Sequence, residues 1–225
     1  MIVTAIERQK RDASRFSVFI DHTFAFGLSG VDLLYHHLEV GTELTEPQYD
    51  HIIEETVYTK ARDKAVRFIG HRLRSRKEIY DRLKLSPEDY SDQVIERVLT
   101  LLEEYGYVDD DQFAQAFCRD KSKINGFGSV RLRYELRQKG IDSHTIDRAL
   151  SGLALDEPDM ALSLLEKKYR RYAYLEPGDK RKAFDYLLRK GFTYEIINQA
   201  LKDFTDILEA RLSETAECMA EDEFD

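Results

Sequence analysis

Between Arg15 and Leu28 the chain reads "RFSVFIDHTFAFGL". Apolar residues alternate with polar ones there: Phe16, Val18 and Ile20, then Phe24 and Phe26. A period of two places alternate side chains on one face of a strand. Asp21-His22-Thr23 interrupts the alternation, so the pattern predicts a β-hairpin, with residues 2–8 as a third strand. A hairpin alone is marginal in water, which requires it to pack on the helices that follow.

After Ser29 the period becomes helical. "TEPQYDHII" predicts a helix capped by Thr45, with Pro47 in its first turn and Gln48 three residues after the cap. No break signal follows before Gly70. The chain then repeats with a spacing of 51 residues: Ile95, Ile146 and Ile197; Leu99, Leu150 and Leu201; Val98, Ala149 and Ala200. Leu136 matches Leu187, and Lys139-Gly140 matches Lys190-Gly191. The first copy, "RSRKEIYDRLKLSPEDYSDQVIERVL", fits with a small insertion. A period of this size with helical content predicts tandem units, each with room for three short helices. The segment "VRLRYELR" alternates strictly and by itself reads as a strand. Its counterparts, Ile79, Tyr80 and Leu83 in the first copy and Ala183, Phe184, Leu187 and Leu188 in the third, are helical faces. Residues 129–139 are therefore expected to be helical, ending at Gly140 as a left-handed cap.

The expected architecture is mainly α, with tandem three-helix repeats in an elongated, right-handed-solenoid-like array and a small N-terminal β-hairpin or three-stranded sheet. The expected divisions are an N-terminal part at 1–60, repeats at 61–108, 109–155 and 156–208, and an acidic tail at 209–225.

Three acids in "GYVDDDQFAQAF", Asp109, Asp110 and Asp111, are the first candidates for chemistry. Gly106 ends a helix whose apolar face holds Val94, Ile95, Val98, Leu99, Leu102 and Tyr105. A new apolar pattern starts at Phe113, Ala114 and Phe117. Asp109 with Gln112 reads as a variant capping box, and Asp110 and Asp111 fall in the first turn, where the helix dipole favours negative charge. No histidine or further acid recurs at ligand spacing, so capping is favoured over a metal site; contact with a basic partner stays open.

The same stretch resembles the hydrophobic-Asp-Asp-x-x-Phe-Ala signature of the RecX family of recombinase regulators. "HRLRSRKEIYDRL" is similar to that family's first-repeat motif, and "NGFGSVRLRYELRQKGI" to its Gly…Arg…Glu-Leu…Lys-Gly-Ile motif. The matches cover residues 61–150; the third copy matches less closely, and residues 1–60 resemble an N-terminal extension found in some members. The resemblance implies a modular stack of three-helix units that binds RecA, or the RecA filament on single-stranded DNA. Such proteins suppress ATP hydrolysis and strand exchange or block filament growth, in the context of recombination, DNA repair and the SOS response.

Charge sharpens this picture. Residues 1–60 carry 5 basic and 10 acidic side chains, residues 61–202 carry 28 and 24, and residues 203–225 carry 1 and 9. A mildly basic middle between acidic ends suggests a nucleic-acid or nucleoprotein partner. The candidate contacts recur in each unit: Arg72, Arg74, Arg76 and Lys77; then Arg131, Arg133, Arg137 and Lys139; then Lys180, Arg181, Lys182, Arg189 and Lys190. They would face a filament's acidic groove or DNA phosphates, or else serve as solvated helix faces. Phe127, between two glycines, is a candidate stacking residue or a packing residue. The tail "SETAECMAEDEFD" is a solvated end or an internal mimic of nucleic acid.

No enzyme is expected. Histidines 22, 36, 37, 51, 71 and 144 are scattered, and no phosphate loop, dinucleotide fingerprint or nucleophile elbow occurs. No cofactor or metal is expected. Cys118 and Cys218 lack metal-ligand neighbours and read as reduced thiols. No apolar run reaches the ~18 residues of a membrane span, and the N-terminus lacks a signal-peptide core, so a cytoplasmic monomer is expected. Two alternatives remain: a direct DNA-binding protein of helix-turn-helix-like units, engaging single- or double-stranded DNA, and a helical-repeat scaffold for another partner.

Overall fold

The computed structural model describes residues 1–10 and 12–221, with side chains to residue 214. Two compact units divide it at Phe113/Ala114.

The first unit opens with an antiparallel sheet in the order β1 (Val3–Arg8), β2 (Arg15–Ile20), β3 (Thr23–Ser29). The turn is tighter than the sequence suggests. Ile20 pairs with Thr23, leaving Asp21 and His22 as a two-residue loop, both at positive φ (47° and 66°). Such turns match the natural twist of the flanking strands. Val18, Ile20, Phe26 and Leu28 are buried, while Phe16 and Phe24 are half-buried. A register shift between Val18 and Phe19 breaks the simple alternation. Helices α1 (Gly30–Tyr35) and α2 (Glu46–Ile52) follow, the latter with the expected Thr45–Gln48 capping box. A π-helical stretch, Ile53–Tyr58, continues directly into α3 (Thr59–Ile69), so one helical run spans residues 46–69. Leu38, Leu44, Ile52 and Val57 join the sheet residues in one core with the faces of α4 (Arg76–Lys84) and α5 (Asp92–Glu104).

Val94, Ile95, Val98, Leu99 and Leu102 of α5 are all buried, as their spacing predicts. Tyr105 is not part of that face. It caps the helix, is 70% exposed, and stacks beside Tyr107 at 6.3 Å between ring centres. Gly106 adopts φ +69°, so the chain turns away immediately after Tyr105 and carries it outward.

Helix α6 (Asp110–Asn125) crosses into the second unit, which continues with α7 (Ser129–Gln138), α8 (Ser143–Ser151), α9 (Glu157–Lys168), α10 (Pro177–Lys190) and α11 (Tyr194–Glu221). The alternating "VRLRYELR" is helical, with Leu132 and Leu136 buried one turn apart. The isoleucine column Ile95, Ile146 and Ile197 is fully buried, as is Leu99, but Leu150 and Leu201 are only half-buried. Leu150→Ala is therefore expected to lower stability by about 1–2 kcal/mol, less than a full core deletion, read as a urea midpoint. Leu165, Leu187, Phe192, Phe204 and Leu208 belong to the core of the last three helices. Helix α11 runs unbroken past residue 208. The acidic segment beyond residue 214, including Cys218, lies outside the described side chains. Cys118 is a free, buried thiol, and burial pushes its pKa up to about 11.

Two of the three acids cap helices, and the helices differ; Asp111 lies in the first turn of α6. Asp109 accepts the Gln112 N–H at 2.9 Å and starts α6. Asp110 reaches back to the preceding helix pair and accepts the N–H of Arg76, the first residue of α4, at 2.8 Å. One repeat later Glu157, the first residue of α9, accepts the N–H of Ser129, the first residue of α7. The first residue of α10 is Pro177, which has no N–H to satisfy. The opening acids of the second and third repeats thus each cap a helix of the repeat before, and the equivalent helix of the third repeat, α10, starts at a proline that needs no such acceptor.

Burial holds the Asp110 carboxyl above the usual carboxylate range; Glu103 and Asp109 add to this, and the Arg76 N–H opposes it. The charged form is the disfavoured one in the fold, so its cost is present above the folded-state pKa and is relieved as pH falls through it. Asp110→Asn keeps an acceptor without the charge and is expected to match or exceed the wild-type urea midpoint at pH 7. Asp110→Ala leaves a donor without its acceptor and is expected to lose about 1–3 kcal/mol. An alanine variant as stable as the asparagine one would refute the capping role.

Candidate interaction surface

The three recurring basic segments differ in how far their charges are already engaged. In the first, Arg72 places its guanidinium fork on Glu78 at 3.0 and 3.2 Å. Glu78 also closes the capping box of Ser75. Arg74 is half-buried over the Phe68 ring, 3.9 Å from its centre, and its Nε has no hydrogen-bond partner among the described residues. Burial and the neighbouring Arg72 disfavour its charge. Arg76 bridges Glu96 and Glu103, the latter at 2.8 Å, and Lys77 pairs with Asp81 one turn on. Of these cations Arg76 holds α4 against α5, while Arg72 and Lys77 compensate acids of α4 itself and Arg74 covers Phe68 of α3.

In the second segment Arg131 lies 3.9 Å over Phe127, pairs with Glu135 at 3.0 Å, and donates to the Arg189 carbonyl at 2.8 Å. Arg133 pairs with Asp147 at 2.6 Å. Lys139 lies 5.7 Å from the centre of the Phe117 ring. Arg137 is exposed, with no ion pair among the described residues.

The third segment carries the least compensated charge. Lys180, Arg181 and Arg189 are exposed on α10 without a carboxylate partner among the described residues. Lys182 pairs with Asp179 at 3.0 Å, which raises the lysine's pKa. Lys190 donates to the Asn125 carbonyl at 2.6 Å.

Phe127 is 7% exposed and packs inside this arrangement, which removes it as a free stacking residue. Its ring is covered by Arg131 on one approach, while Lys190 lies 5.6 Å from its centre. The backbone around it is close: Gly128 N donates to the Lys190 carbonyl at 2.9 Å, and Val130 N to the Gly191 carbonyl at 3.2 Å. The start of α7 therefore sits against the end of α10, which brings Arg131 and Lys190 together from residues far apart in the chain. Lys168, at the end of α9, joins them; its amine lies 3.7 Å from the centre of the Tyr186 ring, with Lys190 at 5.5 Å from the same ring. Lys168, Arg170 and Arg171 were legible as candidates in "KKYRRYAY", residues 167–174, where basic and aromatic residues interleave without an acid. Repeated positions do not reveal that stretch, because it has no counterpart in the other two units.

Elsewhere, His36 Nε2 lies 2.8 Å from Thr56 Oγ1 and 6.2 Å, ring to ring, from His51, while His37 takes a positive φ. No group of three or more potential metal ligands occurs among the described residues, and no described helix is long and apolar enough to cross a membrane.

The arrangement has recognisable relatives. Family models described as the first, second and third three-helix domains of RecX match residues 61–102, 109–150 and 156–201, and the regulatory protein RecX N-terminal domain matches residues 1–45. The regulatory protein RecX of Bacillus velezensis is 36% identical over 202 residues, covering 89% of this chain and 76% of that one. The chain belongs to the RecX family. The regulatory protein RecX of Clostridium acetobutylicum is 32% identical over 89% of this chain and 95% of its own. A crystal structure of regulatory protein RecX aligns with a TM-score of 0.60 at 28% identity, covering 90% of this chain and 98% of that one. RecX from Lactobacillus salivarius aligns at 0.57 and 25% identity, covering 65% and 96%. The RecX three-helix domains correspond to α3–α5, α6–α8 and α9–α11, and the RecX N-terminal domain takes in the sheet and α1. The fold is thus mainly helical, built of three-helix RecX repeats behind a small antiparallel sheet, and the chain stands among proteins of recombination and repair named as regulators.

Proposed function

We propose that this chain is a non-enzymatic regulator that binds the RecA recombinase, or its filament on single-stranded DNA, and restrains ATP hydrolysis, strand exchange or filament growth. The observation that carries the reading is the ordered match of the RecX N-terminal domain and all three RecX three-helix domains along one chain. Its natural setting is the cytoplasm, as a monomer needing no cofactor. The working division is 1–60, 61–108, 109–155, 156–208 and 209–225. Within it, the uncompensated cations of the third repeat, Lys180, Arg181 and Arg189, are the main electrostatic contacts, and Arg137 is a lesser one. The engaged arginines of the first repeat act through the shape of α4. An acidic filament surface attracts exposed charge without first breaking an internal pair, which is why free cations outrank paired ones.

The test is the DNA-dependent ATP hydrolysis of the cognate RecA with this protein titrated in at moderate salt. The expected result is inhibition at or below one chain per RecA monomer. Full hydrolysis at stoichiometric excess, on filaments confirmed to have formed, would overturn the reading.

A further inference from the structure

Helix α1 is apolar on both sides. Leu33 packs inward against the core of the first unit, and Leu38 is buried just beyond the helix. Val31, Leu34 and Tyr35 share the opposite face, at positions i, i+3 and i+4, and are 76%, 77% and 72% exposed. Val40, in the loop that follows, is 65% exposed. A helix apolar on every side is ordinarily covered, and neighbouring exposed apolar side chains mark an interaction surface. Tyr35 is also held in place. Its ring stands edge-on to His36 with 4.9 Å between centres, and His36 Nε2 lies 2.8 Å from Thr56 Oγ1. An aromatic side chain fixed in advance loses little freedom on contact. Beside it opens a groove of about 550 Å³, lined by Tyr35, Leu44, Pro47 and Ile52, with His36 and His51 in its wall.

Charge decides what kind of partner fits. From Phe16 to Thr59 the chain carries eight acids and no lysine or arginine. Glu39 and Glu43 stand on either side of Val40 in the loop, and Glu46 and Asp50 lie next in sequence to Pro47 and His51 of the groove. All four acids are exposed and have no cation partner among the described residues. Lys60 and Arg97, from α3 and α5, are engaged with Asp32 and Glu54. Such a rim repels phosphate, so neither a nucleic acid nor an anionic membrane suits this face. It attracts cations instead. An apolar ridge beside a groove, rimmed by acids, is complementary to a helix with an apolar stripe flanked by lysine and arginine.

We infer that this face of the first unit is a docking site for a basic amphipathic helix of a partner protein. Val31, Leu34 and Tyr35 take the apolar stripe of that helix, and Glu39, Glu43, Glu46 and Asp50 face its cations. The free cations of α10 suit an acidic surface and this face a basic one, so the site is separate from the filament reading and does not rest on it.

The probe is a labelled amphipathic leucine–lysine peptide, titrated with the full chain and read by fluorescence anisotropy, beside a leucine–glutamate peptide of the same pattern. The expected result is binding of the lysine peptide alone, with affinity that falls as salt rises. Val31→Ser with Leu34→Ser, both exposed, should keep the wild-type melting temperature and weaken binding about 10-fold or more. Tyr35→Ala is a second variant with the same expectation. Glu46→Gln with Asp50→Asn should weaken binding several-fold and flatten the salt dependence. Equal binding of the glutamate peptide, or wild-type affinity in the α1 variants, would overturn the site. Sedimentation that shows a self-associated chain, returned to monomer by the α1 variants, would make the occupant a second copy and overturn it too. So would binding to phosphatidylglycerol vesicles that depends on α1, which would make the occupant a membrane. The α1 variants are expected to inhibit RecA ATP hydrolysis as the wild type does; selective loss of that inhibition would merge this face with the recombinase contact and overturn a separate site.

Discussion

Gly191→Ala is expected to be among the most damaging single-atom changes in this chain. Gly191 ends α10 at φ +89°, a region where a side chain carries about 1–2 kcal/mol of strain. A Cβ there would also stand 2.3 Å from the Arg131 Cβ and 2.4 Å from the Arg131 backbone nitrogen. Backbone cannot swing aside as a flexible side chain can, so overpacking adds to the strain, and the total loss is about 2–5 kcal/mol. The same movement would pull the Gly191 carbonyl from the Val130 N–H. Gly178→Ala is the matched control: it lies within α10 with nothing near its would-be Cβ, and alanine there is expected to be neutral or to stabilise by up to about 1 kcal/mol. Urea midpoints of the two variants decide the matter. A Gly191→Ala midpoint equal to that of Gly178→Ala would mean that the two helix ends do not pack closely in solution.

The largest functional effect is expected from reversing the charge of Lys180, Arg181 and Arg189 together. All three are exposed and lack an ion pair among the described residues, so their replacement by glutamate should leave the melting temperature close to wild type. If they face an acidic filament surface, each reversal changes the interaction by about 0.5–1 kcal/mol, which for three amounts to about a 10- to 100-fold rise in the concentration needed to inhibit RecA. An unchanged inhibition curve would remove α10 as a binding face. Alanine at Arg72, Arg74 and Arg76 is a poorer test, because those side chains hold Glu78, Phe68, Glu96 and Glu103. Removing them would disturb the first repeat whatever it binds.

Local signals account for what could be read in advance. The 51-residue columns mark the third helix of each unit because a helix that packs on its neighbours needs the same apolar face each time. Comparing copies settled "VRLRYELR" as helix because alternation over one short stretch is a weaker constraint than a shared fold. Thr45 and Asp109 announce helix starts through bonds to residues three positions away. Tyr105 shows where periodicity fails: its spacing continues the apolar face of α5, but the helix ends under it and the left-handed Gly106 turns the chain away.

The sequence by itself determined the three-helix units, the N-terminal sheet, the caps and the family, since each depends on residues within a few turns of one another or on a pattern repeated along the chain. Only the tertiary structure decided which cations are free. Arg76 meets Glu103, Arg131 meets the Arg189 carbonyl, and Lys168 and Lys190 share Tyr186. The reach of Asp110 to Arg76 and of Glu157 to Ser129 belongs to the same class. An ion pair or a cap across helices is set by a distance of a few ångströms between residues tens of positions apart, and no local periodicity encodes that distance.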